Sequence, residues 1–190
     1  MATNNFTVCL CTVPHTGAHF ALDLLRNVEM QNVLHHHWRT QPKALPQRSS
    51  KFLITARDPY LTALRYIYNG DSMENVAKSW EVCIGNLYNI DHFIIDIGCR
   101  EEDRLEHICD AVKFLDISPD QYMTELESFA NEWKPLNTTE EAAARGLGVG
   151  GAENNKAIYL ETGKLPNGHD WDTLTDAFDW YRSLPTNDYV

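Results

Sequence analysis

The feature that most constrains the fold of this chain is the alternation of short apolar runs with helical patterns. Three runs consist almost entirely of β-favouring residues, as expected for strands buried on both faces: residues 6–13 (FTVCLCTV), 51–56 (KFLITA) and 92–97 (HFIIDI). Apolar residues recur at helical spacing behind each run, and residues 31–37 and 72–87 add a short strand and a helix. The alternation predicts an α/β fold with three layers, in which helices cover both faces of a mostly parallel sheet of about four to five strands.

The pattern changes after this alternating region. Residues 140–156 (EEAAARGLGVGGAENNK) are predicted as a helix that runs into a glycine-rich loop, and residues 171–184 as an amphipathic helix that closes the chain. Composition shows no break that requires a second domain. We therefore expect one domain over residues 1–190, in which residues 119–190 form a helical and loop portion packed on the core.

Charge and composition exclude several classes of protein. The net charge of −11 argues against non-specific binding of nucleic acid or of anionic membranes, because both need a basic surface. The first ten residues lack the basic and apolar regions of a signal peptide, and no apolar run approaches the roughly 18 residues of a membrane span. The five cysteines show no paired spacing, which indicates buried, reduced thiols in a cytoplasmic protein.

Three short segments are predicted to meet at one edge of the sheet. Ligands of parallel α/β sheets bind beyond the carboxyl ends of the strands. That rule selects residues 14–19 (PHTGAH), 35–39 (HHHWR) and 57–59 (RDP), each of which follows or ends a predicted strand. The net negative charge leaves room for a local basic pocket that binds a small anion.

The first segment has the character of a phosphate-binding turn. Gly17 permits close approach of the backbone, and the amide groups and dipole of the following helix favour an anion. It is not a Walker A loop, because no Gly-Lys-Ser/Thr follows, and a plain tight turn between strand and helix is the alternative. Arg57, at the end of a neighbouring strand, suits bidentate phosphate binding, the alternative being an ion pair with Asp58. Arg65 lies about two helical turns further on and faces either the same pocket or solvent.

The histidine run offers a general base. In an extended segment His35 and His37 point to one face and His36 to the other. A neutral imidazole near pH 7 can take a proton from a hydroxyl or an amine. Two alternatives stay open: His35 and His37 form a metal pair with His15 or His19 as third ligand, or the histidines only line a polar loop.

Taken in order, four stretches resemble the sulfotransferases that use 3′-phosphoadenosine 5′-phosphosulfate (PAPS). They are residues 14–25 (PHTGAHFALDLL), 35–38 (HHHW), 51–67 (KFLITARDPYLTALRYI) and 93–118 (FIIDIGCREEDRLEHICDAVKFLDIS). In that family a Pro-Lys-x-Gly-Thr-Thr turn cradles the 5′-phosphosulfate, and a histidine after the second strand is the catalytic base. An Arg-Asn/Asp-Pro segment, with a serine eight residues after its arginine, holds the 3′-phosphate. An Arg-Lys-Gly loop near the C-terminus closes over the nucleotide.

The resemblance implies a phosphosulfate turn that is altered in this chain. Its positions are Pro14, His15, Thr16, Gly17, Ala18 and His19. Only the family's proline and glycine are kept, and Thr16 offers a hydroxyl at the variable position of the turn. His15 replaces the lysine that would assist the bridging oxygen, whereas Ala18 and His19 replace two threonines that would donate hydroxyl groups.

The other motifs of the family are matched to different degrees in this sequence. The resemblance puts His37 first as the catalytic base and His36 next, and it makes Arg57 the 3′-phosphate ligand, with Arg65 in place of the serine. The closing loop is matched only loosely, by Arg145, Gly146 and Lys156.

These observations favour a small sulfotransferase-like enzyme that moves a sulfuryl group from PAPS to a hydroxyl or an amine of a small acceptor. The resemblance implies PAPS and its product PAP as ligands and requires no metal. The alternative is a nucleotide-binding or protein-interaction module on the same fold that has lost transfer activity, and a phosphoryl-transferring P-loop kinase is less well supported. The chain is short for the family, so a reduced acceptor lid and a lid supplied by an oligomer both stay open.

Overall fold

The structure is a computed structural model that describes residues 7–37, 50–88, 90–132 and 151–185. Its centre is a four-stranded sheet in which all strands run parallel, in the order β2-β1-β3-β4. The strands are β1 (Thr7–Thr12), β2 (Val33–His37), β3 (Ser50–Ala56) and β4 (His92–Asp96). The predicted class, an α/β fold with a mostly parallel sheet, is therefore confirmed.

Helices connect the strands and follow them. They are α1 (Ala18–Asn27), α2 (Pro59–Tyr68), α3 (Met73–Leu87), α4 (Arg104–Phe114), α5 (Met123–Glu132), α6 (Gly151–Thr162) and α7 (Thr175–Arg182), with short 3-10 helices at Pro119–Tyr122 and Trp171–Leu174. Within the described residues, no helix combines the length and the apolar character needed to span a membrane.

Each face of the sheet carries its own core because successive residues of a strand point to opposite sides. Val8 and Leu10 of β1 pack with α1, α4 and α5, whereas Cys9 and Cys11 of the same strand pack with α2, α3 and the C-terminal helical segment. All four side chains are fully buried. Burial on both faces explains why the strand sequence is almost continuously apolar instead of alternating.

The five cysteines are buried free thiols, as predicted. Burial raises the pKa of Cys11 to about 12 and that of Cys99 to about 11, and it also raises the pKa of Cys83. A thiol with a raised pKa stays protonated and is a poor nucleophile or metal ligand. These cysteines therefore contribute packing rather than chemistry.

The sequence was misinterpreted in the C-terminal half. Residues 151–156, predicted as the end of a glycine-rich loop, begin helix α6, while residues 140–150 of that prediction lie outside the described part of the chain. The paired glycines suggested a loop, but the residues after them favour a helix, which Tyr159 ties to Asp58 at the start of α2. The 171–184 segment is a 3-10 turn followed by α7 rather than one continuous helix.

Candidate functional site

The carboxyl ends of the strands bring residues 14–19, 35–37 and 57–59 to adjacent positions, while residues 38 and 39 of the second predicted segment lie outside the described residues. Thr12, the last residue of β1, pairs with His37 at the end of β2 and with Thr55 near the end of β3. Arg57 follows β3 directly, and the turn between β1 and α1 starts one residue after Thr12. The segments that sequence analysis selected therefore begin or end on neighbouring strands at one edge of the sheet.

The turn between β1 and α1 is held closely by its own side chains. Thr16 is fully buried, and its hydroxyl donates to the carbonyl of Val13 at 2.6 Å. Because that proton is used, the hydroxyl of Thr55, 2.7 Å away, donates to Thr16 in turn. The side chain of Thr16 thus fastens the turn to β3, and its role as a phosphate ligand stays a prediction.

Gly17 occupies a position that only glycine fits. Its φ of 102° lies in the left-handed region, and a Cβ added there would lie 2.3 Å from Cγ1 of Ile97. Gly17 also stands at the N-cap of α1, where no side chain among the described residues caps the helix. The first amide groups of α1 lack intrahelical acceptors, so the turn offers backbone donors and the positive end of a helix dipole. Gly17 thus lets the turn pack against the side chain of Ile97, and the uncapped amides beside it suit an anionic oxygen.

His15 lies against the end of helix α2. Its φ is 68°, and its Nε2 is 3.3 Å from Nδ2 of Asn69. Its ring also meets the ring of Tyr66 edge to face, with centroids 5.2 Å apart. The residue that replaces the family's lysine is thus oriented by α2, and Ala18 and His19 begin α1 beside it.

The histidine run forms a pair on one face of the sheet, as its alternation predicted. The hydroxyl oxygen of Thr12 is 3.1 Å from Nε2 of His35 and 2.9 Å from Nδ1 of His37. The two rings have centroids 4.4 Å apart. His36 pairs with Cys11, whose side chain lies in the opposite core, so the structure separates the second candidate base from the first. Although His35 is exposed, desolvation lowers its pKa, and nearby His37, His19 and His36 lower it further.

The structure gives little support for a metal centre at this edge of the sheet. Among the residues that the structure describes, no group of three or more histidine, cysteine or acidic side chains is arranged to hold an ion. The contacts of His35 and His37 go to the hydroxyl of Thr12 instead. The pair is thus arranged for hydrogen bonding.

Asp58 has a structural task next to Arg57. Its Oδ1 accepts the backbone N–H groups of Tyr60 at 2.7 Å and Leu61 at 3.3 Å, which caps α2, and its Oδ2 accepts the hydroxyl of Tyr159 at 3.1 Å. Burial raises the pKa of this carboxyl, while those donors and the nearby Arg57 act in the opposite direction. Both carboxylate oxygens are thus engaged with α2 and α6, which weakens the alternative that Asp58 serves mainly as the ion-pair partner of Arg57.

The structure gives less information about the remaining residues that were predicted to bind the nucleotide. Arg65 lies in the last turn of α2, with its guanidinium carbon 5.6 Å from the ring centroid of Tyr68. Arg145 and Gly146 lie outside the described residues, whereas Lys156, also matched to the closing loop, lies in helix α6.

Comparison with known proteins identifies the fold. No family model and no curated protein matches the sequence. Among solved structures the chain is similar to the mouse sulfotransferase SULT7A1 complexed with PAP, with a TM-score of 0.52 and 14% identity. The match covers 95% of this chain and 88% of that one. The chain has a sulfotransferase-like fold.

The sulfotransferase-like sheet also carries a carboxylate at the end of β4, whose place in the sequence fits either a solvated strand end or a partner that supports a catalytic residue. Asp96, the last residue of β4, is 1% exposed. Its Oδ1 accepts the N–H of Gly98 at 2.8 Å and the hydroxyl of Tyr181 in α7 at 3.1 Å. Its own N–H donates to Nε2 of His107 at 2.9 Å. An aspartate at the end of an apolar strand was the available signal, but the partner that encloses it, Tyr181, lies 85 residues further along the chain.

His107 makes the stability of this cluster depend on pH. Burial lowers its pKa, against the opposing effect of Asp96 and Asp110, and its Nε2 must stay unprotonated to accept the N–H of Asp96. The unfolded chain, with a histidine pKa of about 6.5, therefore binds more protons than the folded chain as the pH falls below that value. We expect the free energy of unfolding to fall below about pH 6.5 and to level off below the folded pKa.

His107→Gln tests this assignment, since a glutamine oxygen can accept the same N–H without titrating. Urea denaturation at a series of pH values should give a shallower pH dependence in this variant than in the wild type. Because the pKa of His35 is also lowered, part of the pH dependence of the unfolding free energy should remain in His107→Gln. An identical slope in both proteins would show that His107 does not contribute.

Proposed function

We propose that the protein transfers a sulfuryl group from PAPS to a hydroxyl or an amine of a small acceptor. The observation that carries the proposal is the convergence at one sheet edge of an uncapped helix N-terminus behind Gly17, a histidine pair and Arg57. The similar mouse sulfotransferase was solved with PAP, which supports the same nucleotide here.

Each proposed ligand group suits one part of the nucleotide. The amides at the start of α1, with Pro14, Thr16 and Gly17 shaping the turn, would hold the 5′-phosphosulfate, because a helix N-terminus favours negative charge. Arg57 would hold the 3′-phosphate through a planar guanidinium that binds two oxygens at once. Arg65 is a second candidate for that phosphate, and Arg145 and Gly146 are candidates for closing over the nucleotide.

His37 is the proposed general base. Its ring takes the proton from the acceptor while the acceptor oxygen or nitrogen attacks sulfur in line and the bond from sulfur to the bridging phosphate oxygen breaks. The electron pair of that bond leaves with PAP, so charge and atoms balance without a metal. His15 is the proposed donor toward the bridging oxygen, in the place of the family's lysine.

A second function has an observation in its favour. His15 rests on Tyr66 and Asn69, and Ala18 and His19 carry no hydroxyl groups where the family has two threonines. These features favour a module that binds the nucleotide, or a protein partner, without transferring the sulfuryl group. A phosphoryl-transferring kinase lacks the Gly-Lys-Ser/Thr that would bind the phosphates of a Mg-nucleotide.

Calorimetry with PAP, PAPS and ATP, followed by a transfer assay with labelled PAPS, separates these functions. We expect PAP to bind in the micromolar range and labelled sulfate to appear on at least one hydroxyl or amine acceptor of a broad panel. Binding of PAP without transfer would favour the nucleotide-binding module. Binding of ATP with Mg²⁺ but not of PAP would refute the sulfotransferase function.

A further inference from the structure

The hydroxyl of Thr12 lies between two imidazole rings, and this geometry restricts where the protons are. Its Oγ1 is 2.9 Å from Nδ1 of His37 and 3.1 Å from Nε2 of His35. A hydroxyl has one proton to donate, so it donates to one ring and accepts an N–H from the other. The two histidines therefore have opposite hydrogen-bonding roles toward Thr12.

Only one of the two arrangements is compatible with a histidine that gains a proton. If His37 is the base, its ring carries N–H groups on both nitrogens after the transfer. Nδ1 of His37 must then donate to Thr12, and Thr12 must donate to Nε2 of His35. The same arrangement before the transfer places the proton of neutral His37 on Nδ1 and the lone pair on Nε2.

We infer that Thr12 and His35 are positioning residues that hold His37 in the Nδ1–H tautomer, so that Nε2 is the nitrogen that receives the proton of the acceptor. This inference rests on the function proposed above, and it adds two residues that the resemblance does not assign. Neither residue touches the reacting atoms; both act through the ring of His37.

The surroundings of both residues suit these roles. Thr12 is fully buried, and backbone pairing to β2 on one side and β3 on the other fixes the position of its hydroxyl. His35 must stay neutral to offer a lone pair at Nε2. Desolvation and the neighbouring histidines His37, His19 and His36 lower its pKa, which favours that neutral form.

Loss of either residue should misdirect the base. Without the hydroxyl of Thr12, His37 reverts toward the Nε2–H tautomer that free imidazole side chains prefer. Without an acceptor at position 35, the hydroxyl of Thr12 donates to Nδ1 of His37 and enforces that same tautomer. We expect a fall in the transfer rate of about ten- to a hundredfold in either case, the range that is typical when an orienting partner is lost.

Nitrogen-15 NMR of the ligand-free chain of residues 1–190 reads the tautomer directly. Two-bond proton–nitrogen correlation spectra of wild type, Thr12→Val, Thr12→Ser and His35→Leu are compared, with His37→Gln used to assign the ring of His37. We expect Nδ1–H in the wild type and in Thr12→Ser, and a shift toward Nε2–H in Thr12→Val and His35→Leu. PAP affinity should stay within about twofold of wild type in all three positioning variants, because none of these side chains is assigned to nucleotide binding.

The outcomes distinguish this inference from the proposed function. An Nε2–H tautomer of His37 in the wild type, or an unchanged tautomer in both Thr12→Val and His35→Leu, would overturn it regardless of PAP binding. Because the spectra need no nucleotide, failure to bind PAP would instead overturn the proposed function. If Thr12→Val does not fold, the tautomer of the wild type and its change in His35→Leu still decide the inference.

Discussion

Replacing Gly17 with alanine is expected to abolish PAP binding and to lower the free energy of unfolding by about 3 kcal/mol. Two costs add in this variant. The φ of 102° is unfavourable for a residue with a side chain, and the new Cβ would meet Cγ1 of Ile97 at 2.3 Å. Relief requires a shift of the turn that presents the amides of α1 at the proposed anion site. Chemical denaturation measures the loss of stability, and calorimetry with PAP measures the loss of binding.

Gly70 provides the matched control for Gly17. Its φ is 82°, but a Cβ added there would meet nothing within 4 Å. Gly70→Ala should therefore cost only the backbone part, about 1 kcal/mol, and leave PAP affinity unchanged. Adding Ile97→Ala to Gly17→Ala should recover part of the lost stability, because it removes the Cγ1 atom that the new Cβ meets. Full PAP affinity in Gly17→Ala would contradict the proposed role of the turn.

Replacing Arg57 with alanine is expected to weaken PAP binding by about a hundredfold, the equivalent of about 3 kcal/mol. A bidentate guanidinium–phosphate contact consists of two charge-assisted hydrogen bonds, and alanine removes both. Arg57→Lys keeps the charge but loses the planar fork, so its affinity should lie between those of the wild type and the alanine variant. Calorimetry at constant ionic strength measures the difference.

Arg182 is the matched control for Arg57. It is an exposed arginine in α7 whose guanidinium carbon lies 5.6 Å from the ring centroid of Phe178, so Arg182→Ala removes the same charge at a different place. Equal losses of PAP affinity in the two variants would mean that net charge, rather than a specific contact, governs binding. Unchanged affinity in Arg57→Ala would remove Arg57 from the 3′-phosphate site.

Local patterns in the sequence were sufficient to predict the sheet and the helices that alternate with its strands. The strand at residues 51–56, for example, is observed as Ser50–Ala56, because a continuous apolar run between polar residues has few other stable environments. Helix α5 lies in the portion predicted only as helix and loop, so its bounds were not assigned, although Leu126 and Ala130 are buried on one face at helical spacing. Residues 151–156 were misassigned because the glycine pair outweighed the helix-favouring residues that follow it.

The sequence predicted which segments lie at the candidate site, but not which side chains contact one another there. The strand-end rule located residues 14–19 and 35–39 and Arg57 from chain order alone. The hydroxyl of Thr12 between His35 and His37 depends on the register between β1 and β2, which one sequence does not reveal. A contact of this kind is formed by tertiary packing, so it cannot be predicted from residue types and their spacing along the chain.

The hydrogen bond between Tyr181 and Asp96 also limits the order in which the chain can acquire its structure during synthesis. The two residues are 85 positions apart, so at a synthesis rate of about 5 to 20 residues per second Asp96 emerges roughly 4 to 17 s before its partner. During that interval its carboxylate stays hydrated and the end of β4 lacks the helix that buries it. The carboxyl end of β4 is thus completed only after all four described strands of the sheet have been made.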